Sequence, residues 1–161
     1  MLRLGVTKLL SLAVLQRSSG LLLSSMPLRH TALQRAAAIR VRSIMSTPIP
    51  GFGTTFTILK PGDGAAVVKG ATVTVHATGV VQETGKKFWS TKDPDQQPFT
   101  YTAGVGSVIT GWDQGLLGMK LREERKLVIP ADEGYGKQGF PAWGIPAGGT
   151  LEFTLEVLSI E

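Results

Sequence analysis

The chain has 161 residues, 42% of them hydrophobic, and a net charge of +5, which suits one domain with its own core plus an extension. The absence of cysteine excludes disulfides, zinc–thiolate centres, iron–sulfur ligation and a cysteine nucleophile, and His30 and His76 are too few for a histidine metal cluster. Twenty glycines and nine prolines point to short elements joined by tight turns, a β-rich pattern.

In chain order, residues 1–44 come first, a basic leader without acids. Arg3, Lys8, Arg17, Arg29, Arg35, Arg40 and Arg42 stand among Leu, Ser and Ala, with no Asp or Glu before residue 51. This is the composition of an organellar transit peptide. A cationic amphipathic segment is drawn to anionic membranes and along an inside-negative potential, so mitochondria are the expected destination. A plastid is the alternative address. A secretory signal is less well matched, because the apolar stretch Leu9–Leu15 is short and arginines follow it. Translation from Met45 would instead give a cytosolic protein with the same domain. No stretch reaches the ~18 consecutive apolar residues of a membrane-spanning helix, so no stable membrane anchor is expected. Beyond residue 50, ten basic residues face twelve acids, a net of −2. The domain therefore lacks the basic stripe of a nucleic-acid binder.

Residues 45–53, with Pro48, Pro50, Gly51 and Gly53, read as a linker. Phe56 and Ile58 then alternate with Thr55 and Thr57 in a strand over Thr54–Leu59. Lys60-Pro61-Gly62-Asp63 suits a chain-reversing turn with Gly62 at positive φ. Val73–Val81 is a longer strand, with Val73, Val75 and Ala77 on one face and Thr74, His76 and Thr78 on the other. His76 in this setting reads as an ordinary strand residue. Phe88–Ser90 and Pro98–Thr102 are short strands on either side of a polar loop. Spacing predicts one helix over Thr110–Met119, with Trp112, Gly115, Leu116 and Met119 on one side, Thr110 as its cap and Asp113 in its first turn. Strands follow over Leu121–Ile129 and Thr150–Ile160, the last alternating Leu151, Phe153, Leu155 and Val157 with polar residues. Several antiparallel strands and one short helix make an α+β fold, a curved sheet with the helix in its concave side.

The chemistry-bearing motifs are few. Gly104-Val105-Gly106 suggests a phosphate loop, but Ile109 stands where GxGxxG needs its third glycine, and no GK[ST] follows. Ser107 has no GxSxG elbow. Phe56, Leu127, Leu155 and Val157 fit a core role.

Lys86-Lys87-Phe88, Val108-Ile109-Thr110-Gly111-Trp112, Ile129 through Tyr135-Gly136, Gly144-Ile145-Pro146 and Leu151 through Val157 occur in the order and spacing of one family. Residues 54–161 thereby resemble an FKBP-type peptidyl-prolyl cis-trans isomerase domain. The resemblance implies a half-barrel sheet around the helix and an apolar pocket roofed by the loop from Tyr135 to Ile145. It places Trp112 at the pocket floor and Phe88, Phe99, Tyr101, Val108, Ile109, Ile145 and Phe153 on or near its walls. Tyr135 matches the tyrosine whose hydroxyl donates to a substrate or drug carbonyl, and Ile109 the residue whose backbone N–H is a second donor. Implied partners are proline-containing peptides and unfolded chains, with the macrolides rapamycin and tacrolimus as further ligands; a monomer is expected. The reaction requires no metal or cofactor, since the ~18–20 kcal/mol barrier of an X-Pro bond reflects amide resonance lost on twisting.

The sequence departs from the family pattern at three positions. Ala77 stands where a tyrosine is usual before Thr-Gly, Trp89 where an aspartate usually follows Lys-Lys-Phe, and Phe140 where a histidine is often found. Ala77 and Trp89 are expected to share one wall, a drier one than the family's, which places Trp89 among the substrate-binding residues. A non-catalytic module that holds proline-containing partners in the same groove is the alternative to an isomerase.

Overall fold

The computed structural model describes residues 45–161, so the leader read over residues 1–44 lies outside the described residues. The strands are β1 (Thr47–Pro48), β2 (Thr55–Lys60), β3 (Asp63–Ala66), β4 (Thr72–Val81), β5 (Lys86–Ser90), β6 (Phe99–Thr102), β7 (Lys120–Leu121), β8 (Glu124–Ile129) and β9 (Leu151–Ile160), with one helix, α1 (Thr110–Leu116). All pairs are antiparallel. The main sheet runs β1-β2-β8-β9-β4-β5, and β6 also pairs with β4. The free edge of β4 is thus divided between β6, on residues 72–75, and β5, on residues 78–81.

Alternation along the strands becomes one wet and one dry face. In β4, Val73, Val75, Ala77 and Val81 are buried, and in β9 Leu151, Phe153, Leu155 and Val157. Each has its neighbours on the opposite face, as a period of two requires. Helix α1 covers the dry face and lies against β8 with unusual closeness. A Cβ on Gly115 would sit 2.5 Å from Leu127 Cδ1, so glycine there lets the helix backbone rest directly on the strand. The fold is the expected α+β arrangement of a curved antiparallel sheet around one short helix, not a closed barrel.

Several local expectations need correction. The chain does not reverse at residues 60–63. Lys60 pairs with Glu124 and Asp63 with Leu121, so β3 continues along the partner that β2 was already following. Gly62 has no positive φ; it is small because a Cβ there would stand 2.6 Å from the Glu123 amide nitrogen. The strand expected over 121–129 is two strands, split where Arg122 takes φ 64° and Glu123 is buried. The helix stops at Leu116, because Leu117 is extended (ψ 136°) and Gly118 is left-handed (φ 78°). Thr110 is the first helical residue, not the cap; Ile109 occupies the cap position with no side-chain capping bond. Residues 45–53, read as linker, add β1 to the sheet edge through Thr47 opposite Phe56.

Arg125 shows why the strand breaks where it does. It is buried, its guanidinium paired with Glu123 at 2.7 Å and donating to the carbonyl of Gly115 at 2.9 Å. It also lies 4.1 Å above the Phe56 ring. The cation satisfies orphan carbonyls at the C-terminal end of α1, where the helix dipole favours it. Burial lowers the Arg125 pKa, and Glu123 opposes that shift.

Candidate active site

One cavity of about 510 Å³ opens on the dry face beside α1, lined by Trp89, Phe99, Ser107, Val108, Ile109, Trp112, Tyr135, Trp143 and Phe153. Its floor is Trp112, whose indole lies 4.7 Å from Phe153, 6.0 Å from Phe99, 6.3 Å from Tyr101 and 6.3 Å from Trp89, centroid to centroid. Four rings from three strands therefore fix one indole, each pair at a tilted or edge-on angle that aromatic quadrupoles favour.

A bulge builds the wall on the β5 side. Gly79 pairs with Trp89 and Val80 with Lys87, which leaves Phe88 as an extra residue in the strand. Adjacent strand residues normally face opposite ways, yet Phe88 and Trp89 both reach Trp143, at 6.1 and 6.4 Å. Gly79 is what they close upon: a Cβ there would lie 2.7 Å from Phe88 Cε2 and 2.8 Å from Phe153 Cε1. The same register puts Ala77 and Trp89 on one sheet face as diagonal neighbours. Ala77 is fully buried and is not among the residues lining the cavity, so Trp89 alone presents this wall to a ligand.

The roof is a loop of three short 3-10 turns, Ala131–Glu133, Gly136–Gln138 and Pro141–Trp143. Backbone hydrogen bonds close it on itself, from the Phe140 N–H to the Ile145 carbonyl at 3.0 Å and from the Ile145 N–H to the Phe140 carbonyl at 3.1 Å. Tyr135 stacks on Phe140 at 5.4 Å and meets Trp143 edge-on at 6.3 Å. On the opposite lip, the Asp113 carboxylate accepts the Gly104 and Gly106 N–H groups, each at 2.8 Å. The helix that carries the floor thereby also holds the loop leading to Ser107 and Val108.

The lining carries no ionic group, and its one titratable side chain is Tyr135, whose pKa burial raises. The hydroxyl stays protonated at neutral pH and can donate. The Ile109 carbonyl accepts the Asp113 N–H at 3.0 Å, while its N–H, at the cap position, makes no hydrogen bond among the described residues. Beneath the floor, Tyr101 O–H and Trp112 Nε1–H are buried with no hydrogen-bond partner among the described residues, and burial raises the Tyr101 pKa as well. Among the described residues no cluster of His, Asp or Glu could hold a metal ion.

Of the residues singled out from sequence, Trp89, Phe99, Val108, Ile109, Trp112, Tyr135 and Phe153 line the cavity. Phe88, Tyr101 and Ile145 do not. Phe88 stands behind Phe153 and Trp143, Tyr101 lies under Phe99, and Ile145 is buried in the roof loop's own bridge to Phe140. Ser107 and Trp143 line the cavity without having been singled out. A tryptophan in a Pro/Gly-rich loop, outside any periodic pattern, was the available signal for Trp143.

Residues 64–158 match the family model of FKBP-type peptidyl-prolyl cis-trans isomerase. The chain belongs to this family. It is 46% identical over 106 residues to the peptidyl-prolyl cis-trans isomerase FKBP12 of Arabidopsis thaliana, covering 65% of this chain and 95% of that protein. To FKBP12 of Vicia faba it is 52% identical over 103 residues, 63% of this chain and 92% of the other. An FK506-binding protein of Neisseria meningitidis is 50% identical over 103 residues, 63% of this chain and 91% of its own length. The antiparallel sheet with one short helix is consistent with the fold of this family.

Proposed function

We propose that this member of the FKBP-type isomerases accelerates rotation about X-Pro bonds by seating the proline ring on Trp112 in the uncharged aromatic cavity. The observation that carries the reading is that lining: six aromatic residues, no ion, and two free donors, Tyr135 O–H and Ile109 N–H. A planar amide is more charge-separated than a twisted one, so water favours the planar ground state. Moving the bond into an apolar cavity weakens that preference, which is the difference that accelerates, while the donors hold neighbouring carbonyls so that the bond turns in a fixed orientation on Trp112. Each ~1.4 kcal/mol of such difference gives tenfold. Trp112 is the floor, Tyr135 and Ile109 are donors, Phe88 braces the wall, and Phe99, Tyr101, Val108, Ile145, Phe153 and Trp89 shape or back the walls. Substrates are proline-containing peptides and unfolded chains, and the domain acts as a monomer.

Exchange NMR on a proline peptide tests this directly, with faster cis-trans exchange expected in the presence of catalytic amounts of protein. Peptide binding without faster exchange would instead support a non-catalytic binding module. Rapamycin and tacrolimus are proposed ligands of the same cavity. Trp89 offers no carboxylate to them, so Trp89→Asp is expected to tighten rapamycin binding in a calorimetric titration. Residues 1–44 are proposed as a mitochondrial transit peptide and 54–161 as the working domain. Terminal sequencing of protein from its native cells should then find an N-terminus near residue 45, and an intact Met1 in the cytosol would defeat that proposal.

A further inference from the structure

The carboxylate of Glu133 joins the roof loop to the other end of the domain. Its Oε1 accepts the Gly53 N–H at 2.6 Å; its Oε2 accepts the Thr54 N–H at 2.9 Å and the Thr54 hydroxyl at 2.5 Å. Three donors on one carboxylate make a charge-assisted clamp, stronger than neutral bonds of the same number. Glu133 closes the first 3-10 turn of the roof, and only Gly134 separates it from Tyr135. The other hydrogen bonds of that turn, from the Glu133 N–H to the Pro130 carbonyl at 3.1 Å and the Gly134 N–H to the Ala131 carbonyl at 3.0 Å, are internal to it.

Thr54 has a second contact that gives the clamp its direction. It is fully buried, and its Oγ1 occupies the place a Cβ on Gly111 would need. Gly111 precedes Trp112 in the first turn of α1. The hydroxyl that Glu133 grips is therefore packed against the backbone that carries the floor indole. Both Gly53 and Thr54 lie before the residues matched by the family, 64–158.

We propose that Glu133 is a positioning residue for Tyr135, fixing the height of the donor hydroxyl above Trp112 through Gly53 and Thr54. This rests on the reading of Tyr135 as a donor to substrate. A group acting only through that hydroxyl cannot matter more than the hydroxyl itself. The loss caused by Tyr135→Phe, about 2- to 10-fold in kcat/KM for one neutral hydrogen bond, is its ceiling.

The test is a double-mutant cycle in the full chain with Glu133→Gln, which keeps the side chain's length and one acceptor, and Tyr135→Phe. Glu133→Gln is expected to lower kcat/KM by up to that ceiling when Tyr135 is present and to leave it nearly unchanged in the Tyr135→Phe background. Equal losses in both backgrounds would overturn the proposal and leave Glu133 a merely structural tie. A second readout needs no turnover. The chain has two tyrosines, so 3-fluorotyrosine labelling gives one fluorine signal for Tyr135 and one for Tyr101 as an internal control. Glu133→Gln should shift or broaden the Tyr135 signal and spare that of Tyr101. An unmoved Tyr135 signal overturns the proposal even if the wild-type protein proves to be no isomerase, whereas a moved signal with an inactive wild type defeats only the isomerase reading.

Discussion

The floor and the roof of the cavity are both aromatic, but they are built on different terms. Trp112 is 5% exposed and touches four rings that belong to the core or pack against it, whereas Trp143 on the roof is 43% exposed and leans on residues of its own loop and on β5. The floor is a piece of the hydrophobic core with one face uncovered. The roof is a lid of short turns held down by carboxylates: Glu133 on Gly53 and Thr54 near its start, and Glu83 on the Thr150 N–H at 2.8 Å just past its end. In such a design, changes to floor residues that line the cavity should move stability and activity together, and changes to the roof should separate them.

The largest effect expected is that of Trp112→Ala. Removing a buried tryptophan costs about 3–5 kcal/mol, and the substrate loses its seat, so turnover of the remaining folded protein should fall by on the order of tenfold or more. Chemical denaturation alongside exchange NMR separates the two losses. A folded, fully active Trp112→Ala protein would show that proline does not sit on this ring.

Acid should detach the roof before the floor. Burial would raise the Glu133 pKa, but hydrogen bonds from Thr54 and Gly53 outweigh it and hold the group below its ordinary 4.5. The Thr150 N–H lowers Glu83 likewise. For a carboxylate whose pKa falls on folding, its stabilisation is complete above the unfolded value and disappears as pH drops through the lower folded value. Stability should thus be level down to about pH 4.5 as far as these two groups are concerned, and decline below it. The decline should be shallower in Glu133→Gln, and an unchanged slope there would remove Glu133 from the account.

Tyr135→Phe is the smaller roof change. The ring keeps its stacking on Phe140, and only a half-exposed hydroxyl goes, so unfolding free energy should stay within about 0.5 kcal/mol of wild type. Activity should drop by about 2- to 10-fold, the value of one neutral hydrogen bond. A loss of stability without loss of activity would invert the contrast between roof and floor.

How much of this could be read in the residues follows the same division. Strands β4 and β9 were legible because one dry face imposes a strict alternation on ten residues, and α1 because Trp112, Gly115 and Leu116 share a side. Its end was not, since Leu117 is a good helix former that turns extended only as the chain leaves for β7. Nothing in Leu121–Ile129 announces the break at Arg122, which is set by the buried Glu123–Arg125 pair and not by local propensity. Gly62 looked like a turn glycine, but its smallness serves a backbone crossing that only the sheet register reveals. The floor residues were recognised by their family spacing. Trp143 and Glu133 were missed because the roof has no period, and a carboxylate that clamps residues 79 and 80 positions away leaves no local trace.

Tyr101→Phe is the smallest expected effect and has the opposite sign. On the floor side, the Tyr101 hydroxyl is buried without a partner, next to the equally unpaired Trp112 Nε1–H. Burial raises the phenol's pKa, the nearby Trp112 indole N–H opposes that without reaching hydrogen-bond geometry, and the charge of Asp113 adds to the rise, so ionisation offers the hydroxyl no escape. An unsatisfied buried hydroxyl costs about 1–3 kcal/mol in desolvation. Deleting it leaves the ring's contacts with Phe99 and Trp112 in place, so Tyr101→Phe should stabilise the domain by roughly 1 kcal/mol, read as a higher denaturation midpoint at unchanged slope. Isomerase activity should not change, because Tyr101 backs the wall without lining the cavity. Destabilisation would mean that the hydroxyl has a partner after all, with Trp112 Nε1–H the nearest candidate. The floor indole would then be held by a hydrogen bond as well as by four rings, and activity should fall together with stability.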